Sequence, residues 1–553
     1  MLFLLITVFP GLKSQSLFNN AEGERLQACT DRTLYVTGEK VHFSVVVFNV
    51  REFPPEELSR VFYCQLITPE GNMIAGGKYL LKNFSGQGCL IIPDETISGI
   101  YYLKFYTRVM RNITPDKYKY IMLKIINPFK TEVLPGKNVL DTAELTGNKM
   151  EINAVDQSLI IVPDKKTFSL REEIRLRIGG DTGKRFPARL CLSVIPESTY
   201  KDQFVQVTNN SDSTKNILYF PEIRGISLSG QLIGKESGKP VPNTKVNLSI
   251  IGDRDILVVR TDSAGRFFFT LPDYIGNKDI FLCADDLPDI TPEILIDNDF
   301  CSRPVHLPSP VFNLNEEEMK TAYKLAVNYR VRSVFREDTI SADFSGEKNI
   351  AAFYGEPSEM LVIDKYIDLP TLEDYFTELP VLVKLRKVQN RKQFRFYNEQ
   401  AEMSIFEPLI LVDWVAVNDI NKILAMSPTD IERIELISSP YVKGNIVYGG
   451  IISFVSKKND FAGIDLPKSG TFVNYTFLGN CYEDNPPGPA NVNIPDSRNT
   501  VYWNPSVKTD NDGNVVISFT APDTPGRYHI LLREMTRTGE VVLKEEMIIV
   551  TDN

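Results

Sequence analysis

Between Cys29 and Phe129 the chain alternates short β-rich runs with turn clusters, and this rhythm constrains the fold more than any other feature. KVHFSVVVFNV is followed by RVFYCQLITPEGNMIAGGKYL, GCLIIPDETISGIYYLKFYTRV and YIMLKIINPF. Regular short strands separated by turn residues predict an all-β sandwich. The chain has 553 residues, more than one hydrophobic core accommodates, and about three to five domains of roughly 100–200 residues are expected. Apolar residues make up 43% and charged residues 24%, with 33 Gly, 34 Pro and no low-complexity tract, so disorder is not the default.

A net charge of −10 and a pI near 5.2 supply no long-range field for phosphate backbones, and nucleic acid is not an expected partner. One stretch departs locally: KLRKVQNRKQFR, from Lys384 to Arg395, carries six basic residues. It reads either as a contact patch for an acidic partner or lipid headgroups, or as the solvated side of a strand pair, and the second reading is preferred.

The start, MLFLLITVFPGLKSQS, is apolar from Leu2 to Leu12 and polar around Ser14. That is the length of a signal-peptide core and falls short of the roughly 20 residues of a membrane span. Residues 1–15 are therefore read as a signal peptide, without the usual basic segment before the core; a buried first strand is the alternative. LQAC at 26–29 has the outline of a lipoprotein cleavage site, but Glu22, Glu24 and Arg25 separate it from the apolar core, and lipidation is not expected. No transmembrane span is expected elsewhere.

Seven cysteines, at 29, 64, 89, 191, 283, 301 and 481, are an odd number with no pair closer than 18 residues, which excludes CxxC redox and zinc-ribbon spacings. At least one is unpaired or shared with another chain. Cys64 and Cys89 fall in strand-like stretches and could meet, although buried free thiols are the favoured reading. His42, His306 and His529 are isolated, with no HxxE or HExxH pair to hold zinc. There is no GxSxG elbow, phosphate-cradling loop or dinucleotide fingerprint. No catalytic, cofactor-binding or metal-ligating residue is assigned, and the chain is expected not to be an enzyme. DNDG at 510–513 lacks the further ligands of a calcium loop and reads as a hairpin turn. The acidic run Asp285–Asp299 reads as a solvated loop, and Trp503 as a buried aromatic between sheets.

DRTLYVTGEKVHF (31–43), ITPEGN (67–72) and IPDETISGIYYLKFYTR (92–108) together resemble a macroglobulin-type sandwich, as in the bacterial relatives of α2-macroglobulin. Gly38 and Gly99 fit turns needing a permissive backbone, and Tyr35, Tyr101 and Phe105 are core candidates. SLIIVPDKKTFSLREEIRLRIGG and PARLCLSVIPES look like a second sandwich of the same kind. From Ile226, the GKPVPN turn (238–243) and the TDSAGRFFF hairpin (261–269) resemble a carboxypeptidase regulatory-type domain, with Asp262 to Gly265 as the turn. The resulting division is a sandwich over 24–135, a second over 150–222, the regulatory-like sandwich over 223–300, an α+β domain over 316–466 and a C-terminal β-rich segment over 490–553.

The α+β texture begins at NEEEMKTAYKLAVNYRVRSVF, which predicts a helix; PLILVDWVAV reads as a strand and SPTDIERIELI as a capped helix start running into a strand. PLILVD (408–413), MSPTDIERIEL (426–436) and YGGIISFVSKK (448–458) in that order resemble the plug domain of TonB-dependent outer-membrane receptors. Trp414 and Val415 stand where that pattern expects a glycine turn, and Gly449 and Gly450 adjoin Ile451. The smallest transmembrane barrel needs at least eight strands of about 9–11 residues, yet only about 90 residues follow Ile464, among them the proline-rich CYEDNPPGPANVNIPDS. The plug-like fold is therefore expected to be free-standing or to dock into a barrel supplied by another chain. TVYWNP, TDNDG and APDTPGRY in the tail resemble the segment before the thioester domain of macroglobulins, and the thioester motif GCGEQ is absent. These resemblances imply an exported, non-enzymatic protein of a Gram-negative envelope, periplasmic or associated with the outer membrane, whose plug-like module meets an outer-membrane or other envelope protein. A reduced protease-binding protein is the alternative.

Overall fold

The computed structural model describes residues 23–49, 55–136, 159–180, 189–201, 205, 219–335, 352–397, 406–481 and 495–552, apart from a few single positions and pairs inside these ranges. The signal-peptide reading and most of the proline-rich linker lie outside the described residues. What is described is mainly β, in sandwich-like units joined by one mixed domain. Among the described residues no helix is long and apolar enough to cross a membrane.

The first unit is an eight-stranded sheet in the order Glu24–Thr30, Lys40–Asn49, Ser85–Ile91, Met73–Lys82, Val61–Ile67, Gly99–Thr107, Lys119–Ile126, Leu34–Val36. It folds over on itself: the Phe43 ring meets Phe105 edge-on at 5.3 Å although several strands separate them in the sheet. Tyr35, Tyr101 and Phe105 are buried in this core, as expected. Gly38 takes the left-handed turn conformation at φ +83°, whereas Gly99 opens a strand. Glycine is required there by close approach, since a Cβ would lie 2.6 Å from that of Leu134. Strands Val61–Ile67 and Gly99–Thr107 are buried at every residue, on both faces. The second face is covered by the segment after Asp297: Lys104 donates to the Cys301 carbonyl at 2.8 Å, and Phe300 packs edge-on against Tyr63 at 5.9 Å.

The second unit corrects the expected division. The strands of 159–196 do not close a sandwich with each other. Glu173–Gly180 pairs with Val515–Thr520, and Arg189–Pro196 lies between Tyr502–Val507 and Gly526–Met535. The expected second sandwich and C-terminal segment are thus one domain, with Leu176, Leu192, Ile517 and Ile530 in a shared core. Four strands are too few to close two facing sheets, and the chain completes both of them with strands supplied some 300 residues later, which pair directly with the early ones.

The third unit packs the sheet Arg266–Thr270, Ser227–Gly234, Pro292–Ile296 against Ile256–Arg260, Lys245–Ile250, Asn277–Ala284, Thr471–Thr476. Its last strand also comes from beyond the expected boundary at 300. The 262–265 turn is as read: the Asp262 carboxylate accepts from the amides of Ala264 and Arg266 at 2.8 Å each, and Gly265 has φ +71°. The acidic run is not a solvated loop. It contains strand Pro292–Ile296, Asp297 accepts from Ser229 at 2.6 Å, and Asp299 pairs with the buried Lys78 ammonium of the first unit.

The helix Glu316–Phe335 forms as predicted but belongs with the first unit, where Leu325 packs on Leu34 and Val36 and Lys124 bonds Glu318 at 2.7 Å. Its Leu325 carbonyl and Asn328 side chain also bond Asn499 of the second unit, at 2.9 and 3.1 Å. Cys89 is disulfide-bonded to Cys481, not facing Cys64, which is a buried free thiol.

Candidate interaction surface

The mixed domain is built on a five-stranded sheet in the order Glu359–Val362, Ile431–Ile437, Ile451–Ser456, Leu409–Val412, Val415–Ala416, with Leu409–Val412 parallel to Ile451–Ser456. The sheet is open. Its central strands read as continuous apolar runs because both faces are covered. Alternation decides which cover each residue meets. Ile410, Val412, Ile452 and Phe454 point to Tyr375 and Phe376 of helix Leu372–Glu378, to Ile423 of helix Ile420–Leu424, and to Val383, Phe394 and Phe396 of the hairpin formed by Val383–Val388 and Arg391–Phe396. Leu409, Leu411 and Ile451 point the other way, onto Ile256 and Val258 of the third unit.

The turn after Val412 holds the two covers in place. Asp413 and Trp414 have φ of +45° and +69°, the paired left-handed conformation of a tight hairpin turn, so the position where the plug pattern expects glycine does bend as glycine would. Its strain is offset by bonds: the Asp413 carboxylate accepts from the Ser456 amide at 2.8 Å, the Ser456 hydroxyl at 2.6 Å and the Phe461 amide at 2.8 Å. The Trp414 ring stacks on Tyr354 at 5.8 Å beneath the Arg254 guanidinium, and its carbonyl accepts from Ser249 at 2.9 Å. Lys443 pairs with Asp255 at 2.8 Å, and the buried Tyr448 ring carries the Lys245 ammonium of the third unit at 5.5 Å. Trp414 and Tyr448 therefore face the chain's own third unit.

SPTDIERIELI gives less helix than its sequence predicts. Ser427 and Pro428 open a single 3-10 turn with no side-chain cap, and Ile431 already begins the strand. The basic stretch is the hairpin 383–396, a solvated strand pair with its apolar residues inward. Arg386 and Lys387 are exposed, with Arg386 donating to the Tyr397 hydroxyl at 3.2 Å. Phe396 crosses Gly450, where any Cβ would come within 2.5 Å of the ring, which accounts for a glycine beside Ile451. Edge strand Glu359–Val362 pairs on one side only among the described residues and exposes Met360. The hairpin packs on the sheet face opposite the one that meets the third unit.

Of the other sequence candidates the structure brings together only His42, Cys89 and Cys481 among the described residues, within 4.8 Å of one another. His42 sits beside Cys481, with Nδ1 3.4 Å from its sulfur, His306 is exposed in a connecting segment, and His529 is on strand Gly526–Met535. Residues 510–513 form a hairpin turn in which Asp510 accepts from the Asn514 amide at 2.8 Å. Trp503 is half-buried between the first two units rather than between sheets of one. Sequence reasoning missed the bond between Cys89 and Cys481, for which a separation of 392 residues offers no signal.

No protein-family model and no curated protein matches the chain. Among solved structures it aligns with Salmonella alpha-2-macroglobulin reacted with methylamine (8% identity, TM-score 0.24, covering 96% of this chain and 40% of that one). It aligns similarly with trypsin-activated alpha-2-macroglobulin from Escherichia coli (9%, TM-score 0.24, 96% and 42%). A tetra-tandem repeat from the extending region of a large adhesion protein also aligns (8%, TM-score 0.14, 96% and 100%). The chain thus spans about two fifths of the length of the alpha-2-macroglobulins. Likeness at this level transfers neither activity nor partner.

Proposed function

We propose that this chain is an exported, non-enzymatic envelope protein whose three sandwich units hold the plug-like domain in a fixed pose for an outer-membrane or other envelope protein. The observation that carries this reading is the asymmetry of the mixed domain. One sheet face is sealed by the third unit through Ile256, Val258 and the Trp414 turn, while the basic hairpin and the edge strand Glu359–Val362 remain on the outside. An open strand edge, together with the exposed Arg386 and Lys387, suits a partner that adds a strand or presents an acidic surface. The Cys89–Cys481 disulfide supports export, because such bonds persist in oxidising compartments.

Photo-crosslinking residues placed in the full chain at Arg386 and Met360, with an exposed control at Arg175 of the second unit, test it. Adducts to one envelope protein from the first two positions, lost on R386E/K387E, are expected. No adduct, or the same adducts from Arg175, overturns it.

A further inference from the structure

The contact between the first two units holds a second pair of sulfurs. Cys29 on strand Glu24–Thr30 and Cys191 on strand Arg189–Pro196 are both buried, with their Sγ atoms 2.7 Å apart. Val46, Met535, Trp503 and Val541 enclose them. Bonded sulfurs lie about 2.05 Å apart, so only a small shift divides this pair of thiols from a bond.

The second observation is Arg533. It is 2% exposed, and among the described residues its Nε and Nη2 meet the geometry of no hydrogen bond. Nη1 reaches Ser193 at 3.3 Å and the guanidinium lies over the Tyr200 ring at 4.5 Å. Among the described residues the groups that hold its charge are Tyr200, Cys29 and Cys191. A buried guanidinium favours an anion beside it, and a thiolate at Cys29 or Cys191 is one within reach. Arg189, whose Nε donates to Ser44 at 2.8 Å across the contact, adds a second positive charge. Burial alone would raise both thiols; the Cys191 hydrogen bond, Arg533 and Arg189 bring Cys29 below its ordinary value, while burial and Cys29 push Cys191 up.

We propose that Cys29 and Cys191 are a redox couple that joins the first unit to the second, with Cys29 as the attacking thiolate. The Cys29 thiolate attacks the disulfide of a thiol–disulfide oxidoreductase or of oxidised glutathione, and one thiolate of that reagent leaves. Cys191 then loses its proton and attacks Sγ of Cys29, expelling the second thiolate. Two protein thiols are oxidised and one reagent disulfide is reduced, and the two protons lost by Cys29 and Cys191 end on the two expelled reagent thiolates. The cavity beside the pair, lined by Cys29, Tyr200 and Arg533, measures about 40 Å³, room for a few water molecules and not for such a reagent. Exchange therefore takes place while the two units are parted, and their closure shields the bond.

Peptide mapping of the full chain, oxidised with glutathione disulfide and then alkylated under denaturing conditions, tests the couple. A Cys29–Cys191 linked peptide is expected, with Cys64, Cys283 and Cys301 alkylated, and C191S loses the link. Alkylation of both Cys29 and Cys191 in chains that retain Cys89–Cys481 overturns the proposal. Under native conditions dithiothreitol is expected to open the half-buried Cys89–Cys481 bond first and the buried bond at least tenfold more slowly. Equal or reversed rates overturn the shielded placement, and this reading needs no variant to fold.

Discussion

Glu222 shows how one side chain makes this fold sensitive to acidity. It is 2% exposed, accepts from the Tyr63 hydroxyl at 3.0 Å and from the Ser227 amide at 2.7 Å, and so joins the first unit to the third. Burial pushes its carboxyl up from 4.5 to about 7, against the pull of Arg108 and these hydrogen bonds. The folded form therefore holds its proton more tightly than the unfolded one. Stability from this group is full below pH 4.5 and is lost as the pH climbs to about 7; a shift of that size corresponds to about 3 kcal/mol. Burial also raises Glu24, with the same sign. Urea midpoints should fall between pH 5 and pH 8, and Glu222→Gln should flatten much of that slope; an unchanged slope in the variant would assign it elsewhere.

At the scale of elements, the turn at Asp413 carries most of the mixed domain's register. Asp413→Ala removes an ionised acceptor from two backbone amides and a hydroxyl and should cost about 3 kcal/mol. The checkable result is a lower denaturation midpoint with faster proteolysis near Ser456 to Phe461. Some local features were legible in the sequence. Strand runs and the 262–265 turn are written in neighbouring residues, and Tyr35, Tyr101 and Phe105 are buried as read; the hairpin turn at Asp413 and Trp414 is not, since PLILVDWVAV reads as one strand and the structure divides it into Leu409–Val412 and Val415–Ala416. The face opposite a strand was not legible. Leu411 and Val412 look alike in sequence, yet one meets Ile256 and Val258 of another unit and the other meets its own domain's helices. The 3-10 turn at Pro428 was overread as a helix because its cap-like sequence is followed by strand pairing, which wins over local preference.

At the scale of the molecule, the units are nested rather than strung in a row. The mixed domain is inserted in the third sandwich, whose last strand is Thr471–Thr476, and both are inserted in the second, completed by Tyr502–Thr551. A chain ending at residue 480 should therefore lose the second unit as well as its tail, becoming rapidly cleaved over 159–196, while the first unit survives limited proteolysis; survival of 159–196 would contradict the pairing. Nesting was hidden from the sequence because Leu176 and its partner Ile517 are far apart in the chain. The hint available was arithmetic: four strands are too few for a closed sandwich of about seven.

The Cys89–Cys481 bond gives this nesting a mechanical consequence. Tension applied between the two ends of the described chain would run through the first unit to Cys89, cross to Cys481 and leave through the closing strands of the second unit. The third sandwich and the mixed domain would sit on a slack side branch, spared the load for as long as that one covalent shunt is intact.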